Sequence, residues 1–181
     1  MSTRTRKQLT ALILAILTAL FVTNTTEKQV LYNPAHSFSS STTFTVSHVV
    51  DGDTVDIDKD GARVRLRLIG INSPESVDPR RPVECFGKEA SRYAASQLEG
   101  TRVSIELDNS QGKLDKYGRT LAYVFLSDGA SFNQLMIKEG YAYEYTYRTP
   151  YRYQKDFQRA EKEARLSLRG LWASTTCAGV R

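Results

Sequence analysis

From Thr43 onward, apolar and polar residues alternate in short runs broken by turn residues, and later stretches change to the three-to-four spacing of a helix. Thr43 to Val50 is β-branched and aromatic, Thr54 to Ile57 is short and alternating, and Arg63 to Ile71 begins by alternating arginine with apolar residues. Asp51-Gly52 and Asp60-Gly61 punctuate them, which predicts three antiparallel strands in succession. A proline- and charge-rich loop follows from Ser76 to Phe86. Lys88 to Leu98 then carries alanines, Tyr93 and Leu98 at helical spacing and ends before Gly100. Arg102 to Leu107 and Thr120 to Leu126 alternate again, separated by the polar stretch Asp108 to Tyr117. Ser131 is placed to cap a short helix through Ile137, stopped by Gly140, and Gln154 to Leu168 sets Phe157, Ala160, Ala164 and Leu168 on one stripe. Without internal repeats, five strands and three helices predict one α+β domain on a small antiparallel barrel.

The first residues follow another pattern. Arg4, Arg6 and Lys7 precede an uncharged run from Leu9 to Val22, so residues 1–23 read as a secretory signal peptide. At about fourteen residues the run is short for a bilayer span, and no A-x-A site follows Phe21; an uncleaved N-terminal membrane anchor is the alternative. A secreted or cell-surface location is expected either way, with membrane association only through this segment. Residues 24–42 are Ser/Thr-rich and form the expected flexible linker, 43–173 the domain and 174–181 a C-terminal tail.

At 181 residues, 40% hydrophobic and 25% charged, the chain is ordinary for a soluble fold. Its net charge of +5 is concentrated at the N-terminus: without residues 1–28, 21 basic residues face 19 acidic ones, a net of +2. Bulk basicity therefore does not argue for nucleic-acid binding, and any such argument rests on where the arginines lie. Cys85 and Cys177 lack C-x-x-C spacing or a neighbouring histidine; export points to a disulfide, not zinc. Neither His36, in the linker, nor His48, in a strand, has a partner pattern that suggests catalysis.

The distinctive chemistry is acidic. Asp51-Gly52-Asp53-Thr54 and the run Arg67-Leu68-Ile69-Gly70-Ile71-Asn72-Ser73-Pro74-Glu75 place two acidic clusters at the ends of predicted strands, with an arginine before the second. Hard oxygen ligands can hold Ca²⁺ or Mg²⁺, a spare carboxylate can orient water and a guanidinium can neutralise phosphate. Together these are the requirements of metal-assisted attack on a phosphodiester.

Taken with GKEAS at the predicted helix start, DKYGR at Asp115–Arg119 and GLW at Gly170–Trp172, these motifs resemble the thermonuclease, or staphylococcal nuclease-like, family from Thr43 to Trp172. The resemblance implies an OB-fold five-stranded antiparallel β-barrel with three helices, and a calcium-dependent endonuclease hydrolysing DNA and RNA to give 3′-phosphate ends. It implies Ca²⁺ held by Asp53, position 72 and the Ser73 carbonyl, Glu75 as general base or water-positioning group, and Arg67 and Arg119 as phosphate-binding arginines. Asp51 would orient the cluster; as a turn-forming Asp before Gly it has an equally good structural reading. The family's aspartate at position 72 is Asn72 here, which keeps an oxygen ligand and removes a charge, so weaker calcium binding is expected.

Tyr141, Tyr143, Tyr145, Tyr147, Tyr151 and Tyr153 form a second cluster. Family tyrosines in this region flank the nucleotide, but the register slips by one residue and leaves Tyr145 and Tyr147 both open; packing is expected for most of the six. Arg63 and Arg65 are assigned to a solvated strand face; Arg80 and Arg81 in their charged loop, with nearby Lys88, have two readings, contact with a polynucleotide backbone or simple solvation. Trp172 is expected to pack the last helix onto the barrel. The expected partner is single-stranded DNA or RNA, bound by a monomer. The alternative reading is a non-catalytic nucleic-acid-binding OB-fold module, which Asn72 would favour and the retention of Asp53, Glu75, Arg67 and Arg119 opposes.

Overall fold

A computed structural model describes residues 42–180. The signal or anchor segment and nearly all of the linker expected at the N-terminus lie outside the described residues. Among the described residues no helix is long and apolar enough to cross a membrane.

Five strands close into a barrel in the order β1-β2-β3-β6-β5, where β1 is Thr43–Asp51, β2 Thr54–Lys59, β3 Ala62–Leu68, β5 Arg102–Glu106 and β6 Thr120–Phe125. Four seams are antiparallel and the β3–β6 seam is parallel. An odd number of strands cannot alternate in direction around a closed ring, so one parallel seam accompanies closure of the barrel expected to be antiparallel. The predicted strand Arg63–Ile71 breaks at Gly70, where φ is +79° and an added Cβ would lie 2.6 Å from the Tyr151 ring. Beyond that break Ile71–Asn72 forms a separate short strand, β4, which pairs with β7 at Tyr143–Glu144.

Helix α1 (Gly87–Leu98) buries Ala90, Ala94 and Leu98, one face at i, i+4 spacing, in the core shared with Val46, Val55, Ile57, Leu66 and Val103. Helix α2 (Phe132–Lys138) begins as expected at Ser131, whose hydroxyl accepts the Gln134 N–H at 3.3 Å. Helix α3 (Gln154–Leu166) contributes Phe157 and Ala160 to the same core, whereas Leu168, placed on its stripe by the periodicity, falls beyond its end and is 59% exposed.

A smaller cluster gathers Tyr143, Ala164, Leu171, Trp172 and Cys177. Trp172, in a 3₁₀ turn at Gly170–Trp172, therefore packs β7, α3 and the C-terminal segment together instead of seating α3 on the barrel. Cys85 and Cys177 form the expected disulfide, joining residues 92 positions apart.

Candidate active site

The β1–β2 turn presses directly on the second acidic segment. At Gly52 an added Cβ would lie 2.6 Å from the Ser73 Cβ, so glycine is what lets the turn carrying Asp51 and Asp53 approach the chain after β4. The contact is fastened by polar groups: Asp53 Oδ2 accepts the Ser73 N–H at 2.9 Å, and Asp51 Oδ1 accepts the Asp53 N–H at 2.9 Å. Asp53 is 6% exposed and Ser73 7%.

Arg67 stands opposite Thr54 in the β2–β3 register. Its Nη2 lies 3.0 Å from Asp53 Oδ2, and its Nη1 donates to the carbonyls of Leu68 at 2.6 Å and Ile71 at 2.9 Å. These bonds pin the guanidinium where the strand breaks. Arg119 arrives from the loop before β6. Asp115 accepts its backbone N–H at 3.0 Å and its Nε at 2.6 Å, while its Nη1 reaches the Thr54 hydroxyl at 3.4 Å and its guanidinium lies over the Tyr117 ring. Two arginines distant in sequence thus engage the adjacent residues Asp53 and Thr54, and both line one groove of about 640 Å³.

Asn72, Lys116, Tyr117, Tyr145, Tyr147 and Arg148 also line this groove. The tyrosine cluster divides cleanly. Tyr143 and Tyr151 are buried, Tyr141 stacks between Phe86 and Tyr93, and Tyr153 packs on Tyr123 and Phe157. Tyr145, 36% exposed, and Tyr147, 60% exposed, are the two that face the groove. Both tyrosines left open by the register slip are therefore groove residues.

Glu75 lies two residues beyond Ser73 but turns into its own loop. Its Oε1 accepts the N–H groups of Ser76 and Val77 at 2.8 Å and of Asp78 at 3.0 Å. Burial pushes its pKa up, but these three donors outweigh burial and leave it below the ordinary glutamate value. Asp53 thus touches Arg67 and Ser73 directly and Arg119 through Thr54, while the Glu75 carboxylate is held in its own loop by a separate nest of amides.

Burial first, and then the charge of Asp53, raises the Asp51 pKa to about 7. Asp51 and Asp53 at this turn, with the Ser73 backbone bonded to Asp53 and Asn72 just before it in the chain, offer oxygen donors of the kind that suit a hard cation, although Asp53 is already paired with Arg67. Among the described residues no three His, Cys, Asp or Glu side chains group as metal ligands, so a cation here would rely partly on neutral oxygens.

Three features escaped the sequence reading. Arg65 does not simply face solvent: it forks onto Asp56 at 2.7 and 2.9 Å, and Asp56 is fully buried, with Arg63 3.9 Å away. The β2–β3 register, Asp56 opposite Arg65, is the signal that would have found this pair. Arg80 and Arg81 are likewise paired, with Asp78 and Glu84. Asp108 is the third. Burial alone would raise its pKa, but the Arg152 N–H, the Ser110 hydroxyl and N–H and the Tyr123 hydroxyl hold it at about 2.

Asp108 begins the loop that returns Arg119 to the groove. Its depressed pKa contributes stability above the unfolded-state value near 4, lost as pH falls towards 2. Asp108→Asn is expected to cost about 2 kcal/mol at pH 7, and the gap from the parent should close near pH 2. Urea unfolding at both pH values checks this.

The model of the staphylococcal nuclease homologue family matches residues 65–174, more than half of the chain. The chain belongs to the staphylococcal nuclease homologue family. It is 37% identical over 163 residues to a thermonuclease of Staphylococcus hyicus, with 90% of this chain and 95% of that relative aligned. A thermonuclease of Staphylococcus intermedius is 43% identical over 129 residues, covering 71% of this chain and 75% of the relative. The SPbeta prophage-derived endonuclease YokF of Bacillus subtilis is 32% identical over 130 residues, covering 71% of this chain and 43% of its own length. Family and relatives make the protein a phosphodiester-hydrolysing nuclease.

Proposed function

We propose that the protein is an exported, calcium-dependent endonuclease that cuts DNA and RNA, single strands most readily, and leaves 3′-phosphate ends. The observation that carries this reading is the convergence of Arg67 and Arg119 on Asp53-Thr54 beside Ser73. Two guanidiniums anchored by Asp53 and Asp115 are pre-organised to meet the oxygens of one phosphate, where they stabilise the charge that builds during in-line attack. Tyr145 and Tyr147 offer ring faces to unpaired bases along the same groove, an arrangement suited to splayed single strands.

Asp53, the Asn72 amide oxygen and the Ser73 carbonyl would hold Ca²⁺, with Asp51 supporting Asp53. When bound, the ion supplies Lewis-acid polarisation of the phosphate. Glu75 stays ionised well below neutral pH because three amides hold it, so its contribution is to orient the attacking water through its remaining lone pairs and accept a proton. The departing group is the 5′ oxygen. Asn72 lowers the charge count around the cation, which suits a site filled at extracellular calcium of about 10⁻⁴ to 10⁻³ M.

Incubation with single-stranded DNA tests the proposal. Calcium should support cleavage and a chelator should abolish it, with double-stranded DNA cut more slowly. A mobility shift without cleavage at any calcium concentration would instead select the non-catalytic binding module.

A further inference from the structure

The loop carrying Glu75 is held from outside the barrel. Asn72, at its entry, pairs with Tyr143 across the β4–β7 ribbon, and the Tyr143 ring meets Trp172 edge-on with centroids 5.2 Å apart. Trp172 and Leu171 share their cluster with Cys177, which is bonded to Cys85. The residue before Cys85 then grips Glu75 twice: the Glu84 N–H donates to the Glu75 carbonyl at 2.8 Å, and Glu84 Oε2 accepts the Glu75 N–H at 3.0 Å. Arg81 fixes the other Glu84 oxygen at 2.5 Å. Gly87 closes the arrangement from below, where an added Cβ would lie 2.5 Å from the Glu75 carbonyl oxygen. A ring of contacts thus runs from Asn72 through the C-terminal cluster and the disulfide back to Glu75.

Arg119 is anchored outside this ring by Asp115, and Arg67 by Asp53 and the Leu68 carbonyl, touching the ring only at the Ile71 carbonyl of β4. We infer that the Cys85–Cys177 bridge, acting through Glu84, positions Glu75 for catalysis, a role separate from its contribution to stability. The inference rests on the water-orienting role proposed for Glu75. It makes Glu84, Cys85 and Cys177 positioning residues that should affect turnover more than substrate binding.

The test compares the full chain with Cys85→Ser/Cys177→Ser, with Glu84→Ala, and with the barrel-core variant Ile57→Val as a control for lost stability. All are assayed at a temperature where circular dichroism shows each to be folded. Two readouts are taken: hydrogen exchange at the amides of Ser76, Val77 and Asp78, and kcat and KM on single-stranded DNA. Expected are at least tenfold faster exchange at those amides in the disulfide-free and Glu84→Ala variants, with barrel amides unchanged. Their kcat should fall about 10- to 100-fold, with KM within about twofold, because small misplacements of a reacting group are costly. Ile57→Val should retain its kcat. Unchanged exchange, unchanged kcat, or an equal loss in Ile57→Val would overturn the inference. Full activity in Glu75→Ala would instead remove the role of Glu75 itself, while the exchange data would still report whether the bridge orders the loop.

Discussion

Asp53→Ala is expected to lower cleavage of single-stranded DNA by about 10³-fold at saturating calcium, with the fold retained. The carboxylate serves three neighbours at once, accepting from the Ser73 N–H and the Thr54 hydroxyl and pairing with Arg67. Its loss removes the principal negative charge for a cation and releases one side of the Arg67 fork. Metal-assisted charge stabilisation contributes several kcal/mol, and each 1.36 kcal/mol is a factor of ten in rate, which sets the scale of the effect. The fold should survive because Arg67 keeps its bonds to the Leu68 and Ile71 carbonyls. Single-turnover rates measured beside circular dichroism spectra decide it; a rate within tenfold of the parent would remove Asp53 from the cation site.

The second large effect concerns stability. Cys85→Ser/Cys177→Ser opens a loop of 92 residues, for which chain entropy alone predicts a loss of about 4.6 kcal/mol. For a domain of this size that corresponds to a thermal midpoint lower by roughly 10 to 15 °C. The cluster of Tyr143, Trp172 and Cys177 should loosen first, since the barrel core does not depend on it. Differential scanning calorimetry reads the shift, and a change under about 3 °C would mean that the unfolded chain gains little freedom when the bridge is absent.

The fold was legible wherever periodicity and burial agree. β1, β2 and β5 alternate in sequence and send Val46, Val55, Ile57 and Val103 into the barrel core, whereas Ala122 to Phe125 of β6 are all buried, and α1 was visible through Ala90, Ala94 and Leu98. The break after Leu68 was not. Gly70 sits inside an apolar run, and its positive φ and the rings of Tyr151 and Phe157, more than eighty residues away, that leave no room for a Cβ there appear only in the fold. The parallel seam was hidden for a related reason, because alternation reports which face a residue occupies and nothing about which strand lies beside it.

The candidate site was legible in composition and illegible in its bonding. The acidic turn with Asp53 and the arginine Arg67 stand out in the residues themselves, whereas Ser73 and Arg119 are named only by the resemblance to family motifs. That Arg119 reaches Thr54, or that Arg65 covers Asp56, depends on strand register and loop return. Parity alone cannot tell Arg65 from a solvated arginine. The tyrosines show the same limit: six of the same parity separate into packing and groove residues once β7 turns Tyr143 inward and leaves Tyr145 and Tyr147 along the groove.

A cation held between Asp53 and Asn72, with Arg67 and Arg119 beside it, is the core of the proposed mechanism. A calcium titration of single-stranded DNA cleavage, parent against Asn72→Asp, tests it most directly. Restoring the carboxylate should lower the half-saturating calcium about tenfold, since affinity at such sites follows ligand charge. An identical calcium requirement in the two proteins would contradict the account.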